Sequence, residues 1–546
     1  MILGDPQIAK MHTDSGMWGH ASLDGLLRKL AAATPERVLL VDAEIRQGWQ
    51  RPFPREITAE RLDRVVSALS ARMLDLGLKP DDRIAIHLPN TAESVIAFLA
   101  AMRVGAIAAP LPFSWRRAEL VDALNRIQPT AIISAGLFDE LALAQLACEA
   151  AFEIFSVRYV LSFGVLLPDG VTSLDECFLD DASIEGDEPP PRAGAPGQHV
   201  ACVLFQSGDP HRPVVFTHNQ LISGATLVAA HARLNADANV LTALPTSSLG
   251  GLATGLVPML TTGVKLRLAV PFDMGVLTRD LGKGTVTHLM LPALVAQSSR
   301  VRSAFLDRFS GRLIRYWNDP VRAAAADIDR DYRAVDLVNL DETGLVATED
   351  PSLIGCMPLG QTRLGGSRGG PVVLETRLRG STSRAGDSGT MLRGEIELAG
   401  PICPVAAIDK DGSFVTLGVK GFFPSGLRGG FVKGNPNIIA CTGRIGEYFR
   451  IGGMLVSAAR IDALFRGFSG VSDAVAYTEA DSVFGERLHA ALVPRPGEKF
   501  SIRAFRDYLR DAGIADYRMP DRIAVVEAIP RGEDGTILRR QISIAA

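Results

Sequence analysis

Apolar residues recur at helical spacing from Leu23 to Ala33, and Thr34-Pro35-Glu36-Arg37 closes the pattern, so the first predicted element is a helix. A second amphipathic stretch covers 57–76, with Thr58 placed to cap it by accepting a backbone N–H. Leu78-Lys79-Pro80-Asp81-Asp82 predicts a turn into a strand at 83–88. An apolar helix over about 91–104, Gly105, a strand at 106–111, a helix at 117–126 and a strand at 131–134 follow. Alternation of this kind predicts an α/β fold, a parallel sheet covered by helices.

The run 185–197, with Pro189-Pro190-Pro191, has the composition of a linker or surface loop. A second strand–helix series is expected to begin at Val200–Phe205 and to continue through strands at 241–244, 265–268 and 288–291. Residues 361–389, rich in Gly, Ser and Arg, read as long loops between strands. The alternating Gly394-Glu395-Ile396-Glu397-Leu398 turns the third region toward antiparallel sheet. The last hundred or so residues predict a small α+β unit. Its strands lie at 448–451, 474–477 and 489–493, its helices at 457–465 and 502–512, and no internal repeat is visible.

Composition narrows the class. Apolar residues make up 47% and charged residues 22%, with a formal net charge of −4. Interspersed charge of that size gives no basic field for nucleic acid. Cys148, Cys177, Cys202, Cys356, Cys403 and Cys441 are scattered without a Cys-x-x-Cys pair, which suits a reducing compartment and points to neither disulfides nor zinc. Residues 1–20 do not read as a signal peptide, and the longest apolar stretch, 95–111, is interrupted by Arg103 and too short to span a bilayer. The expectation is a cytoplasmic protein without membrane or nucleic-acid partners.

Five short segments stand in an order that carries a resemblance: Leu78-Lys79-Pro80-Asp81-Asp82-Arg83-Ile84-Ala85, Met102-Arg103-Val104-Gly105-Ala106, 394–401 (Gly-Glu-Ile-Glu-Leu-Ala-Gly-Pro), Gly443-Arg444 and 530–540. With them the chain resembles, over nearly its whole length, the adenylate-forming superfamily of acyl-CoA synthetases, peptide-synthetase adenylation domains and luciferases. The resemblance implies an AMP-binding-like N-terminal domain over 1–445, with two helix-covered sheet subdomains and a β-rich one. It also implies a small mobile α+β domain over 446–546. In that family a carboxylate attacks the α-phosphate of ATP to give an acyl-adenylate, and a thiol then displaces AMP after the small domain swings. Such chemistry depends on positioning and charge neutralisation.

The implied site shows both survivals and losses. The family's phosphate loop, Ser-Gly-Thr-Thr-Gly-x-Pro-Lys-Gly, corresponds to Ser207-Gly208-Asp209-Pro210-His211-Arg212-Pro213, two residues shorter. Ser207 and Gly208 remain, two prolines remove amide donors, and Asp209 would repel a triphosphate. A surface turn that no longer binds phosphate is expected, with His211 and Arg212 as the cations that could replace part of the lysine's charge. The family's C-terminal catalytic lysine corresponds to Thr536, flanked by Arg539 and Arg540, which read as a solvated basic face. Leu427 stands where an aspartate accepts the ribose hydroxyls, and Val338 where a tyrosine stacks near adenine. Arg444 and Glu342 are retained. Asp341-Glu342 reads either as a cation site, with Glu342 a magnesium ligand, or as a solvated turn. Ser248 and Gly251 fall beside the implied acyl pocket, Gly446 at the implied hinge, and Ile451-Gly452-Gly453-Met454 at the turn that meets the pantetheine arm.

Loss at several independent ATP contacts leads to a first expectation: an acyl-CoA synthetase-like protein that is non-catalytic or repurposed, without an assigned cofactor and with room for a protein partner. Two alternatives stay open. One is an active ligase of an acyl or aryl carboxylate and CoA that uses ATP and magnesium with compensating residues. The other is an enzyme of the acyl-thioester half-reaction alone. No Gly-x-Ser-x-Gly, His-Glu-x-x-His, full P-loop or Gly-x-Gly-x-x-Gly motif anchors any other chemistry.

Overall fold

A computed structural model describes the chain except for residues 43–55, 180–188, 190, 270–273, 305, 327, 329–330, 332, 367–368, 383–392, 417–420, 433, 482–484, 498–499 and 546. Part of the expected linker, 185–188 and 190, and part of the expected 361–389 loops lie outside the described residues. The helix Leu23–Ala33 is capped by Ser22, and Ala59–Asp75 by Thr58, whose side chain accepts the Arg61 N–H. Ala92–Val104 buries every residue along its length. A helix apolar on all sides belongs in an interior, and its arginine, Arg103, is neutralised there by Asp24 at 2.7 Å and by Asp63. Gly105 ends the helix at φ 80. Among the described residues no helix is long and apolar enough to cross a membrane.

The chain packs as two compact units. The first comprises Met1–Phe113, Leu124–Gln206 and Arg212–Gly443. Among its described residues are a nine-stranded, an eight-stranded and a six-stranded sheet. The nine-stranded sheet has parallel strands Ile107–Pro110, Arg83–Ile86, Ala131–Ala135 and Tyr159–Phe163 at its centre. Val200–Phe205 joins this sheet, parallel to Ile107–Pro110, rather than opening the second series. It then turns back on itself, antiparallel to Pro213–Thr217. A six-residue apolar strand gives no hint of which sheet it will enter, so its placement was a tertiary decision.

The eight-stranded sheet holds Asn239–Thr242, Lys265–Leu268, His288–Pro292, Arg312–Trp317 and Ala334–Asn339 in parallel, with antiparallel strands at both ends. The six-stranded sheet contains Val372–Thr382 and Arg393–Ala399 side by side. The first of these falls inside the run expected to be loops. Its residues, Val-Val-Leu-Glu-Thr-Arg-Leu-Arg, alternate well enough to pair once a partner strand is present.

The second unit comprises Arg444–Ala546 together with Ser114–Ala123 and Ser207–His211. Its sheet is built on the long antiparallel pair Val471–Asp481 and Gly485–Pro494. The helices Ala458–Arg466 and Ile502–Asp511 contribute Ile461, Phe465, Phe505 and Leu509 to its core, against which Ala118 also packs.

Candidate functional site

In the first unit the implied site residues gather around the start of one helix. Leu249–Gly251 opens it, a π-type stretch continues it over Leu252–Leu256, and Val257–Thr262 completes it. Ser248 accepts the Gly251 N–H at 3.0 Å and donates to the Pro245 carbonyl at 3.3 Å. The Glu342 carboxylate accepts the Leu249 N–H at 2.6 Å through one oxygen and the Asn339 side-chain amide at 2.6 Å through the other. The Asn339 amide also donates to the Tyr316 hydroxyl at 2.7 Å, while its oxygen accepts the Glu342 N–H at 2.9 Å. This closed chain of hydrogen bonds ties the helix start to the two strands Arg312–Trp317 and Ala334–Asn339.

The helix start tolerates only glycine at two places. A Cβ on Gly251 would stand 1.8 Å from the Pro245 carbonyl oxygen, and one on Gly250 would stand 2.0 Å from the Tyr316 ring. Ser248 and Gly251 are thereby occupied in shaping this turn. Val338, one residue before Asn339, is 1% exposed and packs in the main core.

Asp341 and Glu342 both stand at φ 58, a left-handed conformation that costs free energy in non-glycine residues. The expected solvated turn is not found, because the two are 2% and 7% exposed. Asp341 pairs with Arg212 at 3.2 Å, and its carbonyl accepts the Gln206 amide at 3.2 Å. Burial pushes the Glu342 carboxyl up to about 7 against the pull of its hydrogen-bond donors, and burial likewise holds the Tyr316 phenol well above its usual range. The donor set does not suit magnesium, which takes an octahedron of oxygens. Each Glu342 oxygen already faces a protein N–H and Asp341 faces a guanidinium. Among the described residues no group of three or more His, Cys, Asp or Glu could hold a metal.

Leu427 lies in strand Phe423–Val432, fully buried in the main core. Its N–H donates to the Ser425 hydroxyl at 3.1 Å, which donates in turn to the Ile396 carbonyl at 2.6 Å. Gly426 between them has φ 73, and a Cβ there would stand 2.6 Å from Arg212 Nη2. The Arg212 guanidinium therefore lies against this strand while it pairs with Asp341.

The second unit holds the remaining residues. Ser207 and Gly208 turn at φ 54 and 62, and the Ser207 hydroxyl accepts from Arg444 Nη1 at 2.9 Å. Arg444 is 8% exposed. Asp209, at 5% exposure, pairs with Arg460 at 3.3 Å and accepts the His211 N–H at 3.0 Å. The His211 ring meets Asp122 at 2.9 Å. The expected surface turn is thus half-buried, with Asp209 and Pro210 buried within it, and Asp209 has a cation of its own. Gly446 is exposed at φ 98, and Gly452 and Gly453, at φ 57 and 84, form the two-residue turn of a hairpin.

Thr536 is exposed and donates its N–H to Asp534 at 3.0 Å. Arg539 departs from the expected solvated face. It pairs with the buried Asp462 at 2.7 Å and with Glu447 at 2.8 Å, and Arg540 beside it is exposed. A helix bearing adjacent arginines turns them about 100° apart, so one can enter the interior while the other stays in water. Sequence reasoning missed Tyr316, Asp122, Arg460 and Asp462. Each gains its partner from a distant part of the chain, and no local pattern marks it.

The AMP-binding enzyme family matches residues 27–334. A medium-chain fatty-acid–CoA ligase of Escherichia coli is 23% identical, over 96% of this chain and 90% of its own length. An oxalate–CoA ligase of Arabidopsis thaliana is 25% identical, over 96% and 98%. Among solved structures, an amide bond synthetase from Marinactinospora thermotolerans superposes with a TM-score of 0.72 at 18% identity, covering 96% of this chain and 99% of that one.

Proposed function

The chain belongs to the AMP-binding enzyme family, and from that premise we propose an acyl-CoA synthetase-like member that no longer forms an acyl-adenylate and keeps the fold as a binding or partner surface. The observation that carries the reading is the engagement of the loop's two basic side chains by carboxylates, His211 by Asp122 and Arg212 by Asp341. A triphosphate would have to compete with both acids for those side chains. Three further features support it. Leu427 offers a buried methyl-bearing side chain where an acid would hold a ribose, Thr536 has no charge to give, and both Glu342 oxygens already accept protein donors.

A second reading is favoured by the retained Ser207, Gly208, Glu342 and Arg444. In it the chain is an acid–thiol ligase acting on an acyl or aryl carboxylate with ATP, magnesium and CoA, or an enzyme of the thioester half-reaction. The small-molecule class follows from the relatives, which act on fatty acids and on oxalate. The two readings are separated by isothermal titration of the full chain with ATP–magnesium and with AMP, alongside thermal shift. The first expects no saturable binding at millimolar nucleotide. Saturable binding overturns it and moves the work to a carboxylate screen for pyrophosphate release and thioester formation.

A further inference from the structure

The segment Ser114–Ala123 is built into the second unit by more than adjacency. The Glu119 side chain is fully buried. Its carboxylate accepts the Ala515 N–H at 3.2 Å and the Arg116 N–H at 3.0 Å, and it pairs with Arg518 at 3.1 Å, whose side chain is 14% exposed. Trp115 is fully buried beside this group in the chain, and Ala118 packs on the second unit's hydrophobic core. The backbone joins in as well, the Ala118 N–H donating to the Gly513 carbonyl at 3.0 Å and Arg117 donating to the Asp511 carbonyl at 2.7 Å. Arg116 adds a pair with Asp516 at the surface, and Asp122 one with His211.

A buried carboxylate with a guanidinium and two backbone donors is expensive to separate, because withdrawing one partner leaves a charge in a low-dielectric setting. Exposed pairs such as Arg116–Asp516 contribute little by comparison. From this we infer that the Glu119–Arg518 pair is a clasp that makes Ser114–Ala123 and the 513–518 loop one cooperative element. The two segments open and close together, nearly four hundred positions apart in the chain, and the C-terminal part of the second unit does not release 114–123 without uncovering Glu119. The inference stands on these contacts alone and is independent of whether nucleotide binds.

Native-state hydrogen exchange on the full chain, read by mass spectrometry, tests it. The expected result is slow exchange at one common rate for peptides covering 115–120 and 513–518. Glu119→Ala is expected to speed both by roughly a hundredfold or more, on the scale of a broken buried pair. The strands Val471–Asp481 and Gly485–Pro494 serve as the internal control and should stay unchanged. If Glu119→Ala disturbs the control strands too, Arg518→Lys, which keeps the charge and loses the planar fork, should speed both segments by about tenfold. Fast exchange of 513–518 in the unaltered protein, or acceleration of one segment without the other, overturns the clasp.

Discussion

The carboxylate of Glu342 accepts the backbone N–H of Leu249 at 2.6 Å, so a residue from the turn after one strand caps a helix that begins ninety-three positions earlier. An acid at a helix start is favoured by the unpaired N–H groups and the dipole there. Here that contact is made in the interior, where the ionised form is disfavoured. The balance between these two effects yields the most direct predictions about the chain.

The first concerns pH. Burial pushes the Glu342 carboxyl in the folded protein up to about 7 from an ordinary value of 4.5. Because the folded value is the higher, the unfolded chain loses its proton first, and stability falls as pH rises between those two values and levels off above 7. The loss attributable to this group is ~3 kcal/mol. Urea unfolding of the unaltered protein and of Glu342→Gln at pH 5 and pH 8 should show the drop in the former and a much smaller one in the latter.

Packing at the helix start sets the second. Gly251→Ala places a methyl group 1.8 Å from the Pro245 carbonyl oxygen, and backbone on both sides must move. The expected destabilisation is at least about 1–3 kcal/mol, seen as a lower midpoint in chemical unfolding. Gly453→Ala, whose Cβ would meet nothing within 4 Å but whose φ is 84, tests backbone strain in open space and should cost less.

A third prediction addresses the second unit. Arg539 neutralises Asp462, which is 2% exposed and also accepts the Ala476 N–H at 2.7 Å. Arg539→Met should destabilise that unit by roughly 3–5 kcal/mol, since it strands a buried charge. Arg540→Met, at the exposed neighbour, should cost less than Arg539→Met, because an exposed charge is already solvated. Calorimetric unfolding of the two variants side by side makes the comparison.

Restoring the cation at 536 is the fourth. If the proposed loss of adenylation is correct, Thr536→Lys leaves pyrophosphate release at background with any carboxylate, because the loop's side chains stay engaged by their acids and Leu427 remains as it is. Pyrophosphate release above background in this variant, with ATP–magnesium and a carboxylate panel, would show that the lysine was the principal missing part.

Much of the fold was legible beforehand, for a reason visible in particular elements. Leu23–Ala33 and Ala59–Asp75 announce themselves because their caps and periods are local, and Ala92–Val104 because a largely apolar run stops at Gly105. Val200–Phe205 was legible as a strand and illegible as a member of the first sheet, since all its residues are buried and carry no face preference. Val372–Thr382 reads as loop in the sequence because the glycine and arginine around it outweigh its alternation.

At the candidate site the split is sharper. The sequence by itself determined the family resemblance and which polar types stand at the implied positions, because those follow from residue identity and order. Only the tertiary structure decided what those side chains do. It sank Asp341 and Glu342 into the interior, gave Asp209 to Arg460 and Arg212 to Asp341, and buried Arg539 on Asp462. The physical reason is that a charge's behaviour depends on burial and on partners brought from far along the chain, and neither quantity is written in the local order of residues.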